Sequence, residues 1–225
     1  MNNRIDHALM KEILNCTKCR KSSALRKYFP NDCPPVCCFG DPIDKKTFVV
    51  GINPLKAEYD SGYLESNIEK ALESQIKYFE RREYKFFNEI ARFFDNPEIK
   101  AKLRFTNSIW EKVGYLDLVK CVTAASKDEQ WNGLKISAKK KTIENCQGFL
   151  ERQLGLYQPK LIVAYGKDVG MWFGVKDSGS EEFGLISYPR KLGFKYHAIY
   201  VSQRQGKHSR PEVNEIRAKI KEVLN

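Results

Sequence analysis

The chain has 225 residues, of which 42% are apolar and 30% charged, a balance that excludes a disordered protein and supplies one domain with a sizeable core. No stretch approaches the ~18 consecutive apolar residues of a membrane span, and residues 1–14 lack the apolar run of a secretory signal, so a cytoplasmic protein with no membrane partner is expected. Lys and Arg number 39 against 28 Asp and Glu, and the resulting net charge of +11 makes a polyanion, nucleic acid first, a natural partner.

Before the first strand stand Cys16-Thr17-Lys18-Cys19 and a loop at 31–46 rich in Cys, Pro and Asp. Four short apolar runs have strand character: residues 47–53, 114–121, 160–166 and 196–203. Their cores, such as Phe48-Val49-Val50 and Leu161-Ile162-Val163-Ala164, are continuous, as expected of strands covered on both faces. Helical spacings fill the intervals. Residues 66–94 read as two helices ending before Asn96-Pro97, residues 138–156 as another, and residues 211–224 as a last one with Ser209 as its N-cap. The polar stretch 124–135, containing Trp131-Asn132-Gly133, reads as a loop. Alternating strands and helices predict an α/β fold: a three-layer, doubly wound sheet of about four parallel strands with flanking helices. A single domain over 1–225 is expected, enlarged by helices at about 64–110.

Ligands of open α/β sheets bind at the carboxyl ends of the strands. The first strand ends in Gly51-Ile52-Asn53-Pro54, where Gly admits close approach to the backbone and Pro would fix an extended turn that holds Asn53 at the sheet edge. Asn-Pro is also a common turn. Seven Cys without a secretory signal speak against a disulfide framework and for metal or cluster ligation. Cys16, Cys19, Cys121 and Cys146 could hold an iron–sulfur cluster. Cys16 and Cys19 with Cys33 and Cys37 or Cys38 have a spacing that suits zinc, and Cys121 and Cys146 also fit as small buried hydrophobes. After the fourth strand, Arg204, Lys207, His208 and Arg210 precede a helix and form either a phosphate-binding edge or a basic surface loop.

Taken in order, these features resemble the uracil-DNA glycosylase superfamily, in particular its iron–sulfur branch, family 4. The resemblance rests on the amino-terminal C-x2-C, on Gly51, Pro54, Glu58 and Gly62, and on the strand closing with Val119-Lys120-Cys121. It continues through Cys146-Gln147-Gly148-Phe149-Leu150 to Leu161-Ile162-Val163-Ala164-Tyr165-Gly166. It implies Cys16, Cys19, Cys121 and Cys146 as ligands of a 4Fe-4S cluster, ahead of the zinc grouping. The implied activity is hydrolysis of the N-glycosidic bond of a deaminated, uracil-type base in DNA, a step of base excision repair. Gly51-Ile52-Asn53-Pro54 is similar to the family 2 loop, in which the Asn holds water, whereas family 4 usually carries Glu and Ala at positions 52 and 53. Asn53 is therefore expected to orient water, with Gly51, Ile52 and Pro54 against the substrate.

Asp117 stands where family 4 usually has Asn and is expected to read the base. Ionised, it only accepts hydrogen bonds and suits the amino group of cytosine; buried and protonated, it also donates. The family's His-Pro-Ser is absent after the fourth strand. Ser202 and His208 are expected to support the departing base there, with Arg204 and Lys207 binding substrate. Tyr63 is the candidate pocket wall among Tyr59, Tyr63, Phe86 and Phe87, and Trp131 a candidate DNA probe. The two departures leave an alternative function, a catalytically inactive or divergent member acting as an iron–sulfur nucleic-acid-binding protein. A third reading joins a small zinc ribbon to an α/β hydrolase. A monomer associated with the nucleoid is expected.

Overall fold

Strands β1 (Thr47–Gly51), β2 (Val113–Asp117), β3 (Leu161–Tyr165) and β5 (His197–Val201) pair in parallel, and the short β4 (Phe183–Leu185) runs antiparallel along β5, giving the order β2-β1-β3-β5-β4. This computed structural model describes residues 6–29, 35–36, 45–53, 85–123, 130–175, 183–187, 189–202 and 208–225. The four parallel strands are those expected from the sequence. The edge strand was not, because Phe-Gly-Leu is too short to show a period of two and is only half-buried.

Successive side chains of each strand point to opposite faces, so the continuous apolar runs feed two cores at once. Val49, Val163, Ile199 and Val201 join one core with helices α3 (Lys85–Phe94), α4 (Pro97–Leu103) and α7 (Arg210–Leu224). Phe48, Val50, Ile162, Ala164 and Ala198 join the other with α1 (His7–Leu14), α5 (Ile136–Tyr157) and α6 (Lys167–Phe173). The result is the three-layer α/β architecture. A third cluster, built from the turn of helix α2 (Lys18–Lys21), the segment after β2 and the first half of α5, lies at one side of the sheet.

Local signals set the helix starts. Ser209 Oγ accepts from the Glu212 N–H while the Glu212 carboxylate accepts from the Ser209 N–H at 2.6 Å, a closed capping box followed by Pro211 in the first turn. Asn96 caps α4 with its side chain alone, which accepts from Glu98 and Ile99 N–H. In the predicted helical stretch 66–94, the described part, 85–94, is helical. Cys146 lies midway along α5, inside the helix expected over 138–156. The expected second strand is shorter than its apolar run: β2 ends at Asp117, and Cys121 then forms an isolated bridge with Pro35.

Candidate active site

Asp117 ends β2 beside Gly51, the end of β1, and the two chains stay zipped beyond their strands through Leu118 N–H to Gly51 O (2.9 Å) and Val119 N–H to Ile52 O (2.8 Å). Gly51 is required by its neighbour: a Cβ there would collide with the Tyr115 hydroxyl, which crosses over it to donate to Asp117 Oδ1 at 3.1 Å. Asp117 is 2% exposed, and its Oδ2 is buried without a hydrogen-bond partner. The Lys120 ammonium donates to the main-chain oxygen of Asp117 at 2.6 Å. Burial pushes the Asp117 carboxyl up to about 7, against the opposing pull of Lys120 and the Tyr115 hydroxyl. A carboxyl in this state can both donate and accept near neutrality.

Asn53 is half-buried at the mouth of the same loop, and its Nδ2 donates to Thr123 Oγ1 at 3.4 Å. Ile52 packs between the second and third clusters. Pro54, Glu58, Gly62, Tyr59 and Tyr63 lie outside the described residues, as do Arg204 and Lys207. Of the other ring candidates, Phe87 is core, while half-buried Phe86 stands edge-on to Tyr115 (5.8 Å) and Tyr165 (5.2 Å), making an aromatic floor next to Asp117.

His208 reaches back from beyond Ser202 and is 2% exposed. Its Nε2 faces the Ser202 carbonyl at 3.1 Å and its Nδ1 faces Glu89 Oε1 at 3.1 Å, while its backbone N–H donates to the same carboxylate at 2.7 Å. Arg92 bonds the other oxygen of Glu89 at 2.5 Å and the His208 carbonyl at 3.2 Å. Burial pushes the Glu89 carboxyl up, but the Arg92 guanidinium and the two His208 contacts outweigh it and hold the group below its ordinary range. His208 thus ties the chain after β5 to α3, and both of its ring nitrogens are already engaged. Ser202 Oγ, at the end of β5, is buried with no hydrogen-bond partner. Glu89 and Arg92 were not anticipated. The signal was a lone Glu on the apolar face formed by Phe86, Ile90 and Phe93.

Trp131 is not exposed to DNA, as the sequence suggested it would be. It is 5% exposed, its Nε1–H donates to Asp168 Oδ2 at 2.7 Å, and it packs in the third cluster.

That cluster also gathers Cys19, Cys121 and Cys146, all buried, with Leu25, Phe29, Val119 and Leu134 around them. The three thiols influence one another's protonation. These interactions, with Asn145 Nδ2 at 3.5 Å from Cys19 Sγ, lower the Cys19 thiol and raise that of Cys121. Three buried cysteines in one apolar cluster, one of them favoured as thiolate, have the donor chemistry of a four-thiolate cluster. Cys16 is half-buried and lines a surface pocket with Lys18 and Phe149. Among the described residues, no group of three or more His, Cys, Asp or Glu side chains has the arrangement of a ready-made metal site. Cys33, Cys37 and Cys38 lie outside the described residues.

A doubly wound sheet with polar side chains gathered beyond the carboxyl ends of its central strands defines an α/β protein whose candidate ligand site lies at that edge. The profile of the uracil DNA glycosylase superfamily matches residues 38–221, and the chain belongs to that superfamily. A search of curated proteins returns no match. Members of the superfamily act on DNA, and membership points to glycosylase activity in general. No helix among the described residues is long and apolar enough to cross a membrane.

Proposed function

We propose that the protein hydrolyses the N-glycosidic bond of a deaminated, uracil-type base in DNA. The observation that carries this reading is Asp117: a buried carboxyl at the end of β2, raised to about 7, with one oxygen bonded to Tyr115 and the other unpartnered. In its neutral form it offers one donor and one acceptor, the pair that a uracil carbonyl and ring N–H require. Water oriented by the Asn53 amide attacks C1′ as the bond to the base breaks; the electron pair of that bond leaves with the base, and the proton that the water gives up ends on the departing base anion. Ser202 Oγ is the free hydroxyl at the end of β5 able to support that departing anion. His208 acts as a positioning residue, since its nitrogens hold Glu89 and the Ser202 carbonyl.

The iron–sulfur branch is part of the proposal. Cys19, Cys121 and Cys146, joined by Cys16, would hold a 4Fe-4S cluster, which when bound supplies a cross-link between the amino-terminal segment, the segment after β2 and α5. The engagement of His208 favours one alternative, a member that binds nucleic acid through fold and cluster without excising a base. Base release from oligonucleotides carrying uracil, hypoxanthine, xanthine or cytosine, measured for anaerobically purified protein and for Asn53→Ala, decides between them. Release of uracil that is lost in the variant is expected. No release from any substrate by protein that still binds DNA would overturn the glycosylase reading and select the alternative.

A further inference from the structure

The net charge of the chain is not spread evenly. Residues 16–29 carry five Lys and Arg and no acid, and residues 135–143 carry four Lys and no acid. The fold brings these two segments together as the walls of one groove of ≈ 470 Å³. Lys27, Lys135 and Lys141 line it, all exposed, with the hydroxyls of Ser23 and Ser137 between them. Lys141 stands 3.8 Å from Glu144, an exposed pair of little strength, and Lys27 lies over the Tyr28 ring at 4.8 Å. Among the described residues Lys135 has no acidic partner.

The groove opens at the same end of the molecule as the candidate active site. Helix α5 leads into β3 of a parallel sheet, so its first turn lies at the carboxyl end of the strands. Two contacts fix it there: Asp168, in the first turn after β3, accepts from Trp131 Nε1 at 2.7 Å and pairs with Lys139 at 3.7 Å. Its floor, Leu25, Tyr28 and Ala138, is the outer shell of the Cys19, Cys121 and Cys146 cluster. A cation-lined, hydroxyl-bearing channel on a rigid support matches a chain of phosphates, and little else in a cell presents repeated negative charge at that length.

We propose that this groove binds the phosphate backbone of DNA flanking the extruded base. The inference rests on the reading of the protein as one that acts on DNA, though not on its being catalytic. The test is equilibrium binding of an undamaged duplex oligonucleotide over a range of salt concentrations. It compares wild type, Lys27→Gln/Lys135→Gln/Lys141→Gln, and a control with Lys160→Gln/Lys191→Gln/Lys195→Gln, exposed lysines at or near the amino-terminal ends of β3 and β5. Thermal unfolding of each variant confirms that the fold is intact. For the groove variant the slope of log K against log salt should shrink by about 0.9 for each phosphate that is no longer neutralised, and affinity near 0.15 M salt should fall about 100-fold if all three lysines bind phosphate. The control should retain a slope close to wild type. Equal slopes and affinities for the two variants, or no binding of DNA by wild type, would overturn the inference. Base release separates the two readings: release with groove-independent binding refutes the groove alone, whereas groove-dependent binding without release refutes the glycosylase alone.

Discussion

Asp117→Asn isolates the chemistry on which base recognition depends. In the folded protein the Asp117 carboxyl rises from 3.8 to about 7, because burial outweighs Lys120 and the Tyr115 hydroxyl. That interval corresponds to ~4 kcal/mol between the two protonation states. The folded protein keeps the proton over a range in which the unfolded chain has released it, so this group makes stability fall as pH rises from about 4 to about 7 and adds no slope above. Asn carries no charge and removes the slope. At pH 8 the variant should be more stable than wild type by up to ~4 kcal/mol, less the cost of any amide group left unpaired.

Activity supplies the second reading of the same substitution. Above about 7, each pH unit reduces the neutral carboxyl tenfold, so uracil release by wild type should fall about tenfold per unit there. Asp117→Asn offers donor and acceptor at every pH and should hold its rate where wild type declines. Single-turnover release from a uracil oligonucleotide between pH 5.5 and 9, with urea unfolding at the same pH values, measures both. Parallel rate profiles for the two proteins would refute the claim that a protonated Asp117 reads the base.

Gly51→Ala should destabilise the protein by about 1–3 kcal/mol, since the added methyl meets the buried Tyr115 hydroxyl; an unchanged urea midpoint would contradict the packing. Glu89→Gln removes a carboxylate held below its ordinary range by Arg92 and His208, and should cost about 1.5–3 kcal/mol at neutral pH. The contribution of Glu89 is present above the unfolded value of 4.5 and lost as pH falls through its lowered folded value, so the gap between variant and wild type should narrow in acid. A gap of constant size from pH 7 to pH 3 would exclude that role. Wild-type protein purified without oxygen should carry about four iron and four acid-labile sulfide per chain, and Cys146→Ser almost none. Zinc in place of iron would count against the proposed cluster.

The strands and their faces were legible because a run buried on both sides announces itself by composition alone, as Leu161-Ile162-Val163-Ala164 does. The start of α7 was legible for a different reason: a capping box and a first-turn Pro are local chemistry, settled within four residues. Asp117 could be located from its place before Lys120-Cys121, but not its raised pKa, which depends on burial beside β1 and Tyr115 in the folded sheet. Trp131 was misplaced for the same reason. A polar segment reads as surface until Asp168, far along the chain, takes the indole N–H and draws the ring inward.

The segment after β5 shows why motif residues and their structural work can part company. His-Pro would limit the chain there through proline's fixed φ. In this protein the chain instead meets Glu89, which accepts from the His208 backbone and lies against its ring, while Arg92 takes the His208 carbonyl. These polar bonds from one turn of α3 hold what a ring closure would otherwise restrict, and they engage the imidazole in doing so. Chemistry at that edge is left to the Ser202 hydroxyl, still unpartnered, and to Asn53 and Asp117 across the sheet. A Ser202→Ala variant should therefore lose base release while keeping its unfolding curve, whereas His208→Ala should lose stability as well, leaving the buried Glu89 carboxylate without its ring partner.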